Sequence, residues 1–358
     1  MCCVQIGGDT LLINQKNPHG GDIYTHPVDL DFSANLNPYG MPQSIKTALA
    51  KAADDSSAYP DPYCRKLKER IAAYEDVEDA AVLCGNGAAE LIYSFCYALD
   101  KEKPALVIEP TFCAYSAALR AANVTVQPYY LRKEDGFRLT KDILQLNFSA
   151  YSAVFLCAPN NPTGFLADKD ILCAIAASSV RMLLDVSFLE LTFTPQCYDI
   201  PALVREFPNI CILRSMTKSF AMAGVRLGYA LSSDTAFLEA MAQKVPCWNV
   251  STPAQLAGMA ALEERQWLRE SAAKIRSEKE ELLRALKALG VYVFPGEANY
   301  LLLYSQKPLA KALLQKGILV RDCSNFAGLG EGYVRIAVRT PGENRQLLAA
   351  IGAALRTE

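Results

Sequence analysis

A lysine set between hydroxyl side chains, with an arginine eight residues further on, is the first group in this chain whose types and spacing suggest chemistry. In Arg214-Ser-Met-Thr-Lys-Ser-Phe-Ala-Met-Ala-Gly-Val-Arg226, Lys218 follows an apolar run and has Ser215 and Thr217 before it and Arg226 after it. A lysine amine condenses with aldehydes once burial or a cationic neighbour lowers its pKa, and hydroxyls beside a guanidinium suit phosphate oxygens. Alone, the segment fits two descriptions: an imine-forming amine beside an anion clamp, or a solvated junction between strand and loop.

Two further segments bear on the choice. Asn160-Asn-Pro-Thr-Gly164 follows one apolar run, and Asp185 ends another inside Leu183-Leu-Asp-Val-Ser-Phe188. A carboxylate held against a heteroaromatic nitrogen keeps it protonated, so that the ring accepts electrons from a carbanion, and the amide of Asn161 can hydrogen-bond a ring oxygen. Separately, Asn-Pro-Thr-Gly is an ordinary turn and an aspartate at a strand end an ordinary helix cap. Their order and spacing relative to the lysine are what matter.

The series Gly85-Asn-Gly87, Asn161-Pro-Thr-Gly164, Asp185 and Ser215-x-Thr-Lys218 with Arg226 resembles the fold-type I aminotransferase family over nearly the whole chain. The resemblance implies pyridoxal 5′-phosphate as cofactor, carried by Lys218 as a Schiff base. Asp185 would then be the pyridine-nitrogen partner and Asn161 the partner of the ring oxygen. Ser215, Thr217 and Arg226 would hold the phosphate, joined by backbone amides at Gly87 and Ala88, where a glycine turn opens a helix. Phe112 occupies the position of the stacking aromatic, with a core phenylalanine as the plain alternative. Tyr59 matches the residue that reaches the phosphate across a dimer interface, which implies a homodimer with shared sites. Phe188 stands where many members have a tyrosine, so the ring oxygen loses a phenol partner. Val186-Ser187 also departs from the usual pair after the aspartate.

Within the family the chain is similar to two branches that handle phosphorylated substrates, the histidinol-phosphate aminotransferases and the L-threonine-O-3-phosphate decarboxylases of cobalamin biosynthesis. The resemblance gives Arg321 the substrate phosphate and Arg335 the α-carboxylate, as bidentate guanidinium clamps; two surface ion pairs are the alternative. His19-Gly-Gly21, Asp31 to Gly40, Asn299 to Leu303, Cys323 to Leu329 and Phe188 favour the decarboxylase branch, with Ser33, Asn35 and His19 lining the substrate site. The bond that breaks is the one perpendicular to the ring, so the carboxylate's orientation separates loss of CO2 from transamination. The expectation is decarboxylation of L-threonine O-3-phosphate to (R)-1-amino-2-propanol phosphate. Transamination of histidinol phosphate stands second, and a catalytically silent binding protein third.

These residues need a scaffold that brings strand ends together. Short β-rich apolar runs at Ala105–Glu109, Ala153–Cys157, Met182–Asp185, Ile210–Arg214 and Leu227–Leu231 alternate with helical stretches at Ala88–Leu99, Phe112–Ala122, Lys169–Ser178 and Ile200–Glu206. That alternation predicts an α/β fold: a three-layer αβα large domain on a mostly parallel sheet, with each motif at a strand's carboxyl end. After Val250, Ser251-Thr-Pro253 reads as a cap and first turn of one long charged helix reaching Leu289. The strand-like runs Tyr300–Leu303 and Val334–Val338 and a helix after Pro341 then make a smaller α/β domain. The expected organisation is an arm over 1–44 packing on the small domain, a large domain over 45–250 and the small domain over 251–358.

Composition narrows the alternatives. A formal net charge of −2, with Lys and Arg dispersed, offers no basic face for nucleic acid. The absence of an apolar run of about 18 residues or of a leader-like N-terminus predicts a cytoplasmic protein without a membrane partner. Twelve dispersed cysteines without Cys-x-x-Cys spacing read as free thiols, and two histidines argue against a zinc site.

Overall fold

The computed structural model describes residues 19–356 and the two short strands Val4–Ile6 and Asp9–Leu11. The rest of the expected arm before residue 19, with Cys2 and Cys3, lies outside the described residues.

Seven strands form the central sheet: β1 Val82–Gly85, β2 Ala105–Glu109, β3 Val126–Tyr130, β4 Ala153–Cys157, β5 Arg181–Asp185, β6 Ile210–Ser215 and β7 Gly228–Leu231. Their spatial order is β1-β7-β6-β5-β4-β2-β3. Strands β2, β4 and β6 are buried along their whole length, which is why their sequences are nearly unbroken apolar runs and why helices cover both faces. β3 lies at the edge, where Pro128 lacks the N–H that an inner strand would need.

Neighbours are parallel except at β7, which runs antiparallel to both β1 and β6. Residues 216–227 form the short helix Met216–Ser219 and the turn Ala223–Val225 at the carboxyl edge of β6, so the chain turns back there without a crossover. From β4 the chain proceeds one way through β5 and β6, whereas β2 leads the other way to β3. The crevice outside the carboxyl ends of β2 and β4 is thus a topological switch point.

The single helix expected after Val250 is two helices. Ser251 caps Thr252–Leu262 by accepting from Ala254 N, and a separate helix spans Arg265–Ala288. Tertiary contacts set the break: Arg265 stacks on Tyr74 at 3.8 Å and donates to its carbonyl, anchoring the start of the second helix on a different neighbour. Four strands, β8 Tyr292–Val293, β9 Tyr300–Tyr304, β10 Arg321–Asp322 and β11 Tyr333–Ala337, make an antiparallel sheet in the order β8-β9-β11-β10. Helix Pro341–Arg356 closes the chain's described part. Leu30–Asp31 pairs in parallel with Ile318–Leu319, and Phe32 O accepts from Ala337 N at 2.8 Å, so this early segment is attached to the C-terminal sheet.

Candidate active site

The carboxyl ends of β2, β4, β5 and β6 surround a cavity of about 230 Å3 that faces the small sheet. Lys218 enters it from helix Met216–Ser219, immediately after β6. Asn37 fixes that helix: its N–H donates to Lys218 O at 3.0 Å, and its amide donates to Ser219 O and Ser271 Oγ. Burial, then the nearby Arg226 and Arg335, lower the lysine pKa to about 8, with Asp185 partly opposing them. An amine so tuned has an appreciable neutral fraction near neutral pH, as a nucleophile or proton acceptor requires.

Asp185 ends β5 at the cavity floor. Tyr115 Oη donates to its Oδ2 at 2.6 Å and the Ser187 N–H to its Oδ1 at 2.9 Å. Burial raises the Asp185 pKa, and these donors with Lys218 pull it back. Phe112 lines the same wall, edge-on to Tyr115 with centroids 5.7 Å apart. Asn160 and Asn161 divide the work of their loop. Asn160 is structural: its amide donates to Pro110 O and Thr163 Oγ1, and it accepts from Thr111 Oγ1 and, at its carbonyl, from Tyr300 Oη. Asn161 lines the cavity with its amide oxygen bound by Arg335 Nη1, which leaves the NH2 as the donor it can offer. Phe188 packs edge-on against Tyr300 beneath this loop.

At the opposite end stand the residues read as an anion cradle. Helix Ala88–Tyr97 directs its N-terminus there. Gly87 has φ +78°, which favours glycine, and a Cβ on it would lie 2.6 Å from Arg226 Nη2 and push that guanidinium aside. Ser215 Oγ and Thr217 Oγ1 are 2.7 Å apart, and Arg226 holds Ala223 O. Two hydroxyls, a guanidinium and a helix N-terminus suit a phosphate group, a buried carboxylate suits a pyridinium, and a lysine of lowered pKa suits an aldehyde. The donor set fits pyridoxal 5′-phosphate.

From the small sheet come Arg321 and Arg335, which are direct cross-strand partners on β10 and β11. Both are nearly buried, at 9% and 6% exposure, and both line the cavity. Burial and its neighbour Arg321 hold the Arg335 pKa below the usual guanidinium value. Arg335 Nη2 donates to Ser33 O, while Arg321 donates to Asn325 Oδ1 and Asp322 O and stacks on Phe326. Like charges facing each other across a ladder are destabilising, and an anion bound between them would offset that.

Ser33, Asn35 and His19 also line the cavity. Ser33 Oγ donates to Asp31 and accepts from Gly21 N, and Gly20 packs so closely that a Cβ would lie 2.3 Å from Ser33 O. His19 Nδ1 is 3.7 Å from Cys113 Sγ, and burial followed by Arg321, Lys218 and Arg335 lowers its pKa. Tyr59 is elsewhere: it is 78% exposed and stacks on Trp248 at 4.5 Å, away from its own chain's cavity. Sequence reasoning missed Tyr115, Asn37, Ser187 and Cys113. Tyr115 was findable, because it lies three residues after Phe112 within the helical stretch expected over Phe112–Ala122; Asn37, 181 residues before Lys218, gave no local signal.

Residues 27–351 match the family model described as aminotransferase class I and II. The threonine-phosphate decarboxylase of Salmonella typhimurium is 38% identical over 331 residues, covering 90% of each chain. Among solved structures, the histidinol-phosphate aminotransferase of Clostridium acetobutylicum superposes with a TM-score of 0.86 at 26% identity, covering 91% of this chain and 99% of that one. The L-threonine-O-3-phosphate decarboxylase of Porphyromonas gingivalis gives 0.79 at 26% identity, covering 92% and 100%.

Proposed function

The chain belongs to the class I and II aminotransferase family and uses pyridoxal 5′-phosphate, and on that premise we propose that it decarboxylates L-threonine O-3-phosphate to (R)-1-amino-2-propanol phosphate and CO2. The observation that carries the proposal is the facing pair Arg321 and Arg335, two buried cations across one ladder in a cavity that also holds Lys218. A substrate with a phosphate and a carboxylate satisfies both.

Lys218 binds the cofactor through its amine, Asp185 keeps the ring nitrogen protonated, and Asn161 donates to the ring oxygen beside Phe112. Ser215, Thr217, Arg226 and the amides at Gly87 and Ala88 hold the cofactor phosphate. When bound, the cofactor supplies an electron sink for the substrate's α-carbon. Arg321, with His19, Ser33 and Asn35 around it, anchors the substrate phosphate, and Arg335 orients the carboxylate. Anchoring through the phosphate would let Arg335 orient the carboxylate for loss as CO2, with the electron pair passing to the sink the cofactor would supply. Lys218, once released by the substrate amine, would be the group placed to return a proton to the α-carbon.

Purified enzyme with threonine phosphate and no keto acid should release CO2 and aminopropanol phosphate in equal amounts; their absence would refute the proposal. The likeness to the Clostridium aminotransferase supports a second reading, transamination of histidinol phosphate. Pyridoxamine phosphate accumulating in a single turnover would select it.

We also propose a homodimer in which Tyr59 reaches the partner's phosphate cradle. Support comes from exposed aromatics: Tyr59 and Trp248 stack together, and beside them Asn249 binds Glu90 of the helix that carries Tyr93 and Tyr97 outward. Sedimentation at micromolar concentration should give twice the chain mass; a monomer would rule this out.

A further inference from the structure

A second buried lysine lies outside the cavity. Lys279, on helix Arg265–Ala288, is 1% exposed and forms no ion pair with any of the described residues. Its Nζ donates to Gly296 O and Ala298 O, both at 2.6 Å, and sits 5.1 Å from the centre of the Phe193 ring. Burying a lysine is costly, and an apolar residue of similar length would fill the same space. What the amine alone provides is a grip on two backbone carbonyls.

Those carbonyls belong to the turn that leads into β9, and the turn is locked to the loop after β4. Glu297 N and Ala298 N both donate to Gly164 O, at 2.6 and 3.3 Å. Gly296 lies so close to that loop that a Cβ on it would be 2.7 Å from Thr163 O. Gly164 N in turn donates to Asn160 O, which also accepts from Tyr300 Oη. Asn161, next to Asn160, has its amide oxygen held by Arg335.

We infer that Lys279 is a positioning residue: by tying the 296–298 turn to helix Arg265–Ala288 it sets the 160–164 loop, and with it the direction in which Asn161 offers its NH2 to the cavity. Burial brings the Lys279 pKa down to about 7, with Glu297 opposing, while the two carbonyls and the Phe193 face favour the charged form. Removing the amine frees two carbonyls inside the protein and lets the turn relax away from Gly164.

This inference rests on the proposed contact between Asn161 and the cofactor's ring oxygen, and the test separates the two. The visible absorption band of the holoenzyme is titrated with pH in wild type, Asn161→Ala, Lys279→Met and Lys279→Met/Asn161→Ala. A donor lost from the ring oxygen moves the titration midpoint upward. Asn161→Ala should shift it by roughly one pH unit and Lys279→Met by roughly half of that, with the double variant no further shifted than Asn161→Ala. Lys279→Gln, which restores an amide donor without charge, should recover part of the Lys279→Met shift. If Lys279→Met proves too unstable to titrate, Gly296→Ala breaks the same link from its other end and should give the same upward shift.

A wild-type midpoint in Lys279→Met, or in its substitute Gly296→Ala, beside a shifted Asn161→Ala overturns the inference alone. A midpoint unmoved in Asn161→Ala overturns the Asn161 contact and the inference with it. Additive shifts in the double variant also overturn the inference, because they place the effect of Lys279 on a route other than Asn161.

Discussion

At the scale of single residues, the cavity works by holding charges where their neighbours alter them. Tyr115 Oη stabilises the carboxylate of Asp185, so Tyr115→Phe should raise the Asp185 pKa further and move the acid limb of the kcat/KM profile to higher pH. A charge-assisted hydrogen bond of about 1.5 kcal/mol corresponds to roughly a tenfold loss in kcat/KM, read from steady-state rates across pH. Arg321→Gln should raise KM for threonine phosphate about 10- to 100-fold, from about 1.5–3 kcal/mol of lost charged contacts, and change binding of unphosphorylated threonine little. Much of this was legible in the sequence, since Lys218, Asp185, Asn161 and Arg226 stand in short motifs whose chemistry can be argued from residue type. Asn37 was not, because a side chain's role as a second partner depends on where the chain returns in space.

At the scale of elements, strand ends and helix starts do the positioning. Gly87→Ala should weaken cofactor binding at least tenfold while leaving the fold intact, because the added Cβ falls on Arg226 and φ +78° strains any side chain. Cofactor titration followed by absorbance measures the first effect and circular dichroism the second. Patterning predicted β2, β4, β5 and β6, because strands buried on both faces leave unbroken apolar runs. It missed β1, which is only four residues long, and β3, whose Pro128 reads as a breaker. Strand direction at β7 is set by how the loop turns back, and residue types do not encode it. The break between Leu262 and Arg265 likewise carries no proline or glycine and comes from the anchoring of Arg265 on Tyr74.

For the whole molecule, the active site is held at a cost in stability. The folded Lys218 pKa of about 8 lies below its ordinary 10.5, so unfolding takes up a proton between those values and stability rises with pH across that window. Below pH 8 the penalty is complete. Cofactor-free Lys218→Met should therefore unfold at higher urea than the cofactor-free wild type below pH 8, with the gap narrowing from pH 8 to 10.5. The facing arginines of β10 and β11 extend the same logic to selectivity. On the proposed assignment, free threonine would lack the phosphate that Arg321 binds, and a site built around a charged group rejects an analogue lacking it far more strongly than an apolar pocket rejects a missing methylene. On that reading the ladder would act as a filter against the unphosphorylated look-alike, and inorganic phosphate, which would bind at one arginine without offering a bond to break, would be the natural competitor for the site.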